Sequence, residues 1–179
     1  MHNPSLAQRP DEIFDVVNES DEVIGTATRG EVHARKLWHR AVHVMVVGKD
    51  GRIFLQKRSL RKDTAPGRWD SACSGHVDSG EDYVSAAVRE LNEEIGLVIA
   101  GPEALTPLFR LSPCEDTGWE FLWIFQLRSD GPFVLNPAEI DEGRWISVEE
   151  LSQGLKETPD EFTRALRCLW QRYTEDGSK

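Results

Sequence analysis

Apolar and polar positions along the chain divide it into short strands and a few helices. Ile13 to Arg29 reads as a strand, a polar turn at Asn18 to Asp21, and a second strand carrying Gly25. Two apolar runs, Ala41 to Val47 and Arg52 to Arg58, flank Gly48-Lys49-Asp50-Gly51, the signal of a hairpin. A polar loop containing Pro66-Gly67 leads to Trp69-Asp70-Ser71-Ala72-Cys73, another predicted strand. Val84, Ala87, Val88, Leu91 and Ile95 then recur at helical spacing and form one stripe. That helix is expected to start after Ser79-Gly80, with Glu81 and Asp82 in its first turn, and to end at Gly96. Glu120 to Arg128 is a strongly apolar strand, and Arg144 to Leu151 is a short strand turning into a helix with Ser147 and Glu150 at capping-box spacing. The same device, Thr158-Pro159-Asp160-Glu161, is expected to open a last helix over about 159–173, with Phe162, Leu166, Leu169 and Tyr173 inward. Strands and helices interleave without an internal repeat, which predicts an α/β or α+β fold around a mixed sheet.

Composition adds limits. The 179 residues suffice for one domain with its own core, and we expect a single domain over 1–179 whose first ten residues are a loose lead-in. A net charge of -10 argues against a nucleic-acid polymer or an anionic membrane as partner. A phosphorylated substrate would be repelled as well, unless metal cations mediate the contact. Cys73, Cys114 and Cys168 cannot all pair and show no CxxC spacing, so they read as reduced thiols of a cytoplasmic protein. No apolar run reaches the roughly 18 residues of a membrane span, and Met1 to Pro10 lacks a signal-peptide core. The oligomeric state stays open, a homodimer included.

The helix through Leu91 raises an electrostatic problem. Glu90, Glu93 and Glu94 stand at spacings where like charges repel, on an arc separate from the apolar stripe. Carboxylates crowded in this way need a positive partner, and hard Mg²⁺ or Mn²⁺ ions prefer such oxygen ligands. The alternative is a solvated acidic face. Spacing decides between them: Gly75, Glu81, Arg89, Glu90, Leu91, Glu93, Glu94, Gly96 and Leu97 fit G-x5-E-x7-R-E-U-x-E-E-x-G-U throughout, U being a bulky aliphatic. At roughly 6% usage each, the seven fixed residues would coincide about once in 10⁸ windows.

This stretch, 75–97, resembles the signature of Nudix hydrolases. The resemblance implies an α/β/α sandwich and metal-dependent hydrolysis of a diphosphate linkage in a small molecule, most often a nucleoside di- or triphosphate or related nucleotide. It further implies that Glu90, Glu93 and Glu94, with the Gly75 carbonyl, hold Mg²⁺ or Mn²⁺, that Glu81 supports them, and that Arg89 orients a box glutamate. The base that deprotonates water often lies outside the box in this family. Glu120, Glu139 and Glu142 are the candidates here, and the sequence does not choose among them.

A second resemblance concerns histidines. The segments around His33, His39 and His76 are similar to isopentenyl-diphosphate isomerase, a branch of the same superfamily, which implies a second metal site made of His33, His39, His76 and Glu120. Three departures argue against isomerisation. Gly118 stands where a second glutamate belongs, Ser74 stands where a cysteine belongs, and the box is complete. Cys73, one residue early, would face the other side of a strand. His43 reads as a packing residue. Arg58, Lys62 and Arg68 are candidate phosphate contacts, and Trp69, Trp119 or Trp123 are candidates for stacking a base, with core packing as the competing role. Two alternatives to hydrolysis are retained, the isomerase itself and a non-catalytic metabolite-sensing domain.

Overall fold

The computed structural model describes residues 9–177. The expected lead-in over the first ten residues falls mostly outside that range. The predicted first hairpin is present as β1 (Ile13–Val17) and β2 (Val23–Thr28), a two-stranded sheet of its own. A short helix, α1 (Arg29–Arg35), follows behind a Thr28/Glu31 capping box.

The main sheet is built on β3 (His39–Val47). Its β-branched run is buried on both faces, as expected of a central strand. β3 pairs antiparallel with β4 (Ile53–Arg58) only near the turn, at Val46 and Val47, and the two strands then diverge. The Trp69–Cys73 segment fills the gap as two strands rather than the one expected. β5 (Trp69–Ser71) pairs antiparallel with β4, and β6 (Cys73–His76) pairs antiparallel with β3. Later strands complete the sheet: β7 (Thr106–Leu111), β8 (Glu120–Arg128) and β9 (Ile140–Ile146), after the box helix α2 (Tyr83–Ile95). β8 runs parallel to β3, so the sheet is mixed, as predicted.

Alternation along β3 assigns one helix layer to each face. Val42, Val44 and Val46 pack with Leu91 and Ile95 of α2. Ala41, Met45 and Val47 pack with Leu151 of α3 (Val148–Glu157) and with Leu166, Leu169 and Trp170 of α4 (Arg164–Gly177). This is the three-layer α/β/α arrangement. Leu91 and Ile95 are fully buried, and each stabilises the fold by about 2 kcal/mol. Among the described residues no helix is long and apolar enough to cross a membrane.

Three expectations about the helices need correction. α2 begins at Tyr83 because Asp82 accepts the Ser85 N–H as its cap, so Glu81 and Asp82 precede the first turn. The buried stripe of α2 is rotated from the expected one: Tyr83, Ala86 and Glu94 are buried, whereas Val84 and Val88 are only partly so. The last helix does not open at Thr158. Pro159–Glu161 form a single 3₁₀ turn, and Phe162 then turns extended to bury its ring and bridge Trp69. The chain restarts at Thr163, whose Oγ1 accepts the Leu166 N–H.

Candidate active site

Gly75 lies on β6 opposite Val42, on the face covered by α2. A Cβ there would overlap the Glu90 carboxylate, so a side chain at this position would have to push that carboxylate aside. Arg89 resolves much of the charge problem posed by the sequence. Its Nη1 donates to Glu90 (2.6 Å) and Glu93 (3.2 Å), and its Nη2 donates to Glu81 and to the His76 carbonyl, both at 2.9 Å. The three box glutamates are not equally exposed. The Glu93 side chain is 54% exposed, that of Glu90 12% and that of Glu94 only 2%. Burial, and then the charge of Glu94, push the Glu90 carboxyl up to about 8 despite Arg89.

Glu94 is held by groups remote in sequence. It accepts from Gln56 Nε2 (2.8 Å), from the Ser74 N–H (3.0 Å) and from the Lys62 ammonium (3.2 Å). Lys62 also contacts Glu139 at 2.5 Å. Burial works against a charge on Lys62, but the carboxylates of Glu94 and Glu139 prevail and its pKa rises. Burial dominates at Glu139, raising its pKa against the pull of Lys62. Gln56 Oε1 is buried and lacks a hydrogen-bond partner among the described residues. Glycine's close approach, hard oxygen donors and an orphaned acceptor fit a divalent cation bound by Glu90, Glu93, Glu94 and the Gly75 carbonyl.

His33, His39 and His76 come together on the opposite face, with one nitrogen from each ring lying within 4.8 Å of the others. Glu120 Oε1 is 3.0 Å from His76 Nε2 and 3.3 Å from His39 Nε2. Leu37's carbonyl lies 2.9 Å from His39 Nδ1 and fixes the proton there. Nε2 of the neutral ring then carries a lone pair, and it is buried without a hydrogen bond despite the nearby carboxylate. Two acceptors facing each other call for a proton or a cation between them. Burial, opposed by Glu120, lowers the His76 pKa to about 4. Burial alone would raise the pKa of Glu120, but the imidazoles of His39 and His76 beside it hold it well below the carboxylate range.

Both clusters border one cavity of about 1150 Å³. Arg58, Lys62 and Arg68 line it, as does Arg29, which the sequence reading missed because nothing local marks an arginine at a helix start. Of the three candidate bases, Glu139 sits beside the box through Lys62 and Glu120 among the histidines. Glu142 is exposed on β9 opposite Lys57 and does not border the cavity. The tryptophans are corrected too, since none borders the cavity. Trp69 and Trp123 pack in the two cores, with Arg144 and Arg110 over their rings, and Trp119 lies under Lys36. Cys73 is buried on the α2 face and Ser74 borders the cavity. His43, read as packing, borders it as well.

A carboxylate-rich cavity with basic walls, bordered by the box helix and the mixed sheet, is chemically suited to a phosphoanhydride substrate. Comparison with known proteins agrees. The NUDIX domain family model matches residues 37–166. An uncharacterised Nudix hydrolase of Yersinia pestis is 36% identical over 94% of this chain and 91% of its own length. The uncharacterised Nudix hydrolase YfcD of Escherichia coli is 36% identical over 90% and 87%. The crystal structure of DR0079 from Deinococcus radiodurans superposes with a TM-score of 0.78 at 31% identity, covering 90% of this chain and 98% of that one. The chain belongs to the Nudix hydrolases, a family that acts on pyrophosphate bonds of nucleoside diphosphate derivatives.

Proposed function

We propose that this protein is a metal-dependent hydrolase of a diphosphate linkage in a nucleoside di- or triphosphate or a related nucleotide derivative. The observation that carries the reading is the Glu94–Lys62–Glu139 contact, which joins the box to a carboxylate outside it on one cavity wall. Mg²⁺ or Mn²⁺ bound by Glu90, Glu93, Glu94 and the Gly75 carbonyl would neutralise phosphate charge and acidify a water molecule. Arg58, Lys62, Arg68 and Arg29 meet the phosphate oxygens. Glu139, with its raised pKa, accepts the proton that the attacking water loses. Arg89 holds Glu90 and Glu93 in place. A second cation at His33, His39, His76 and Glu120 is supported by the orphaned His39 Nε2.

A nucleotide-sized ligand suits the cavity. The NUDIX domain of Shewanella oneidensis NrtR, similar in fold at 16% identity, was solved with ADP ribose. Isomerisation at carbon is disfavoured because Ser74, a much weaker acid than a thiol, borders the cavity while Cys73 faces α2. The test is a panel of nucleotides and diphosphates, including isopentenyl diphosphate, assayed for phosphate or pyrophosphate release with Mg²⁺ and with Mn²⁺. Metal-dependent release from at least one nucleoside phosphate is expected. Release from none, or isomerisation of isopentenyl diphosphate, would refute the proposal.

A further inference from the structure

His43 sits mid-strand on the face of β3 that otherwise carries Ala41 and Met45, both core residues. It is 4% exposed, and a packing role would be served as well by leucine or methionine. Its polar contacts are one-sided. Nδ1 lies 2.8 Å from Ser71 Oγ, and Ser71 Oγ lies 3.2 Å from the Cys73 carbonyl, to which it donates its only proton. Nδ1 must therefore be the donor to Ser71, an arrangement favoured further by Asp70 Oδ1 at 3.6 Å. The ring is pinned in one tautomer. Its other nitrogen, Nε2, has no hydrogen bond among the described residues, and it is not among the fully buried atoms without a partner. His43 borders the cavity, and Nε2 is the ring nitrogen left without a protein partner to meet a ligand there.

Register fixes what lies beside this ring. His43 pairs directly with Ser74 across β3 and β6, on the same sheet face, and directly opposed side chains stand about 5 Å apart at Cβ. Ser74 gives its N–H to Glu94, one of the box carboxylates. His43 also lines the same cavity as the box carboxylates and the basic side chains, so a substrate whose phosphates meet the box shares that cavity with it.

We infer that His43 is a specificity-determining residue, whose Nε2 accepts a hydrogen bond from a donor group carried by the diphosphate, such as a sugar hydroxyl. This rests on the diphosphate-hydrolase reading. A site built to hydrogen-bond part of a substrate discriminates against analogues lacking that group, because its own polar atom is then left unpaired.

Two substitutions separate this role from a structural one. Asparagine reproduces the Nδ1–H to Ser71 but ends short of Nε2, whereas glutamine reaches the Nε2 position. Steady-state kinetics with the best nucleoside or sugar diphosphate of the panel is the measurement, with thermal melting of each variant as a control. His43→Asn should raise KM at least about tenfold with a smaller change in kcat, the loss of one hydrogen bond. His43→Gln should stay within about threefold of wild type. A purely structural role predicts the reverse order, and that order, equal losses, or wild-type KM in both variants would overturn the inference. In each of those outcomes the wild type still turns over. Failure of the wild type to hydrolyse any diphosphate would instead remove the hydrolase reading, and this inference with it.

Discussion

Gly75 and Glu90 occupy adjoining space so tightly that the carboxylate stands where a Cβ on residue 75 would be. Glu90 is in turn held by Arg89 at 2.6 Å. Gly75→Ala is therefore expected to displace the Glu90 carboxylate rather than break the strand, since Gly75 needs no left-handed backbone. Divalent-metal affinity should fall at least about tenfold, with a smaller effect on melting temperature. Calorimetric titration with Mn²⁺ checks this, and unchanged affinity would remove Glu90 from the metal site.

Lys62 is a buried cation shared by Glu94 and Glu139. Removing one partner of such a group leaves buried charge uncompensated, so Lys62→Met should destabilise the protein by about 3 kcal/mol without metal. Added Mg²⁺ should recover part of that loss, because a divalent cation supplies the missing charge to Glu94. Thermal melts of both proteins with and without Mg²⁺ test the point. Equal Mg²⁺ effects in variant and wild type would count against a cation at Glu94.

The pKa of Glu90 sets a pH dependence. Its carboxyl is raised from 4.5 to about 8 by burial and by Glu94. Folding therefore favours the protonated form, and without metal this group's contribution to stability falls as pH rises from 4.5 toward 8. Metal requires the carboxylate, so binding below about pH 8 must release a proton, and affinity should climb with pH across that window and level off above it. Calorimetry in buffers of different ionisation enthalpy measures the released protons. Affinity that is flat in pH with no proton release would contradict the coupling.

Legibility in the sequence followed the locality of each signal. The box helix, the β3–β4 hairpin and the α3 capping box depend on neighbours a few residues apart, and periodicity was enough to find them. The start of α4 was misplaced because burial of Phe162 against Trp69, a contact between distant segments, outweighed the local cap at Thr158. In the candidate site, spacing alone singled out Gly75, Glu90, Glu93, Glu94 and Arg89, and the fold gathers them on one cavity wall. Spacing could not rank Glu120, Glu139 and Glu142, because only the tertiary fold brings Lys62 and Glu139 to Glu94. His43 shows a related limit. Its place in an apolar strand suggests packing, and its contact with Ser71 and its place on the cavity wall become visible only in the fold.

That tertiary distinction can be read out kinetically. Glu139→Gln should reduce kcat by about two orders of magnitude or more with little change in KM, as expected for loss of a general base. Glu142→Gln, altering an exposed carboxylate on β9, should leave kcat unchanged. Steady-state assays of the two variants side by side decide the matter, and equal effects would refute the assignment of Glu139.

The central claim is that Glu94 and its box neighbours hold the catalytic cation, and Glu94→Gln tests it most directly. Glutamine keeps the shape of the side chain and removes the anionic ligand, while Lys62 retains Glu139 as a partner. The measurement is Mg²⁺-dependent hydrolysis of the best panel substrate by wild type and variant, with melting curves to verify folding. Turnover should fall by at least about a hundredfold in the folded variant. Near wild-type, metal-dependent turnover in Glu94→Gln would contradict the claim.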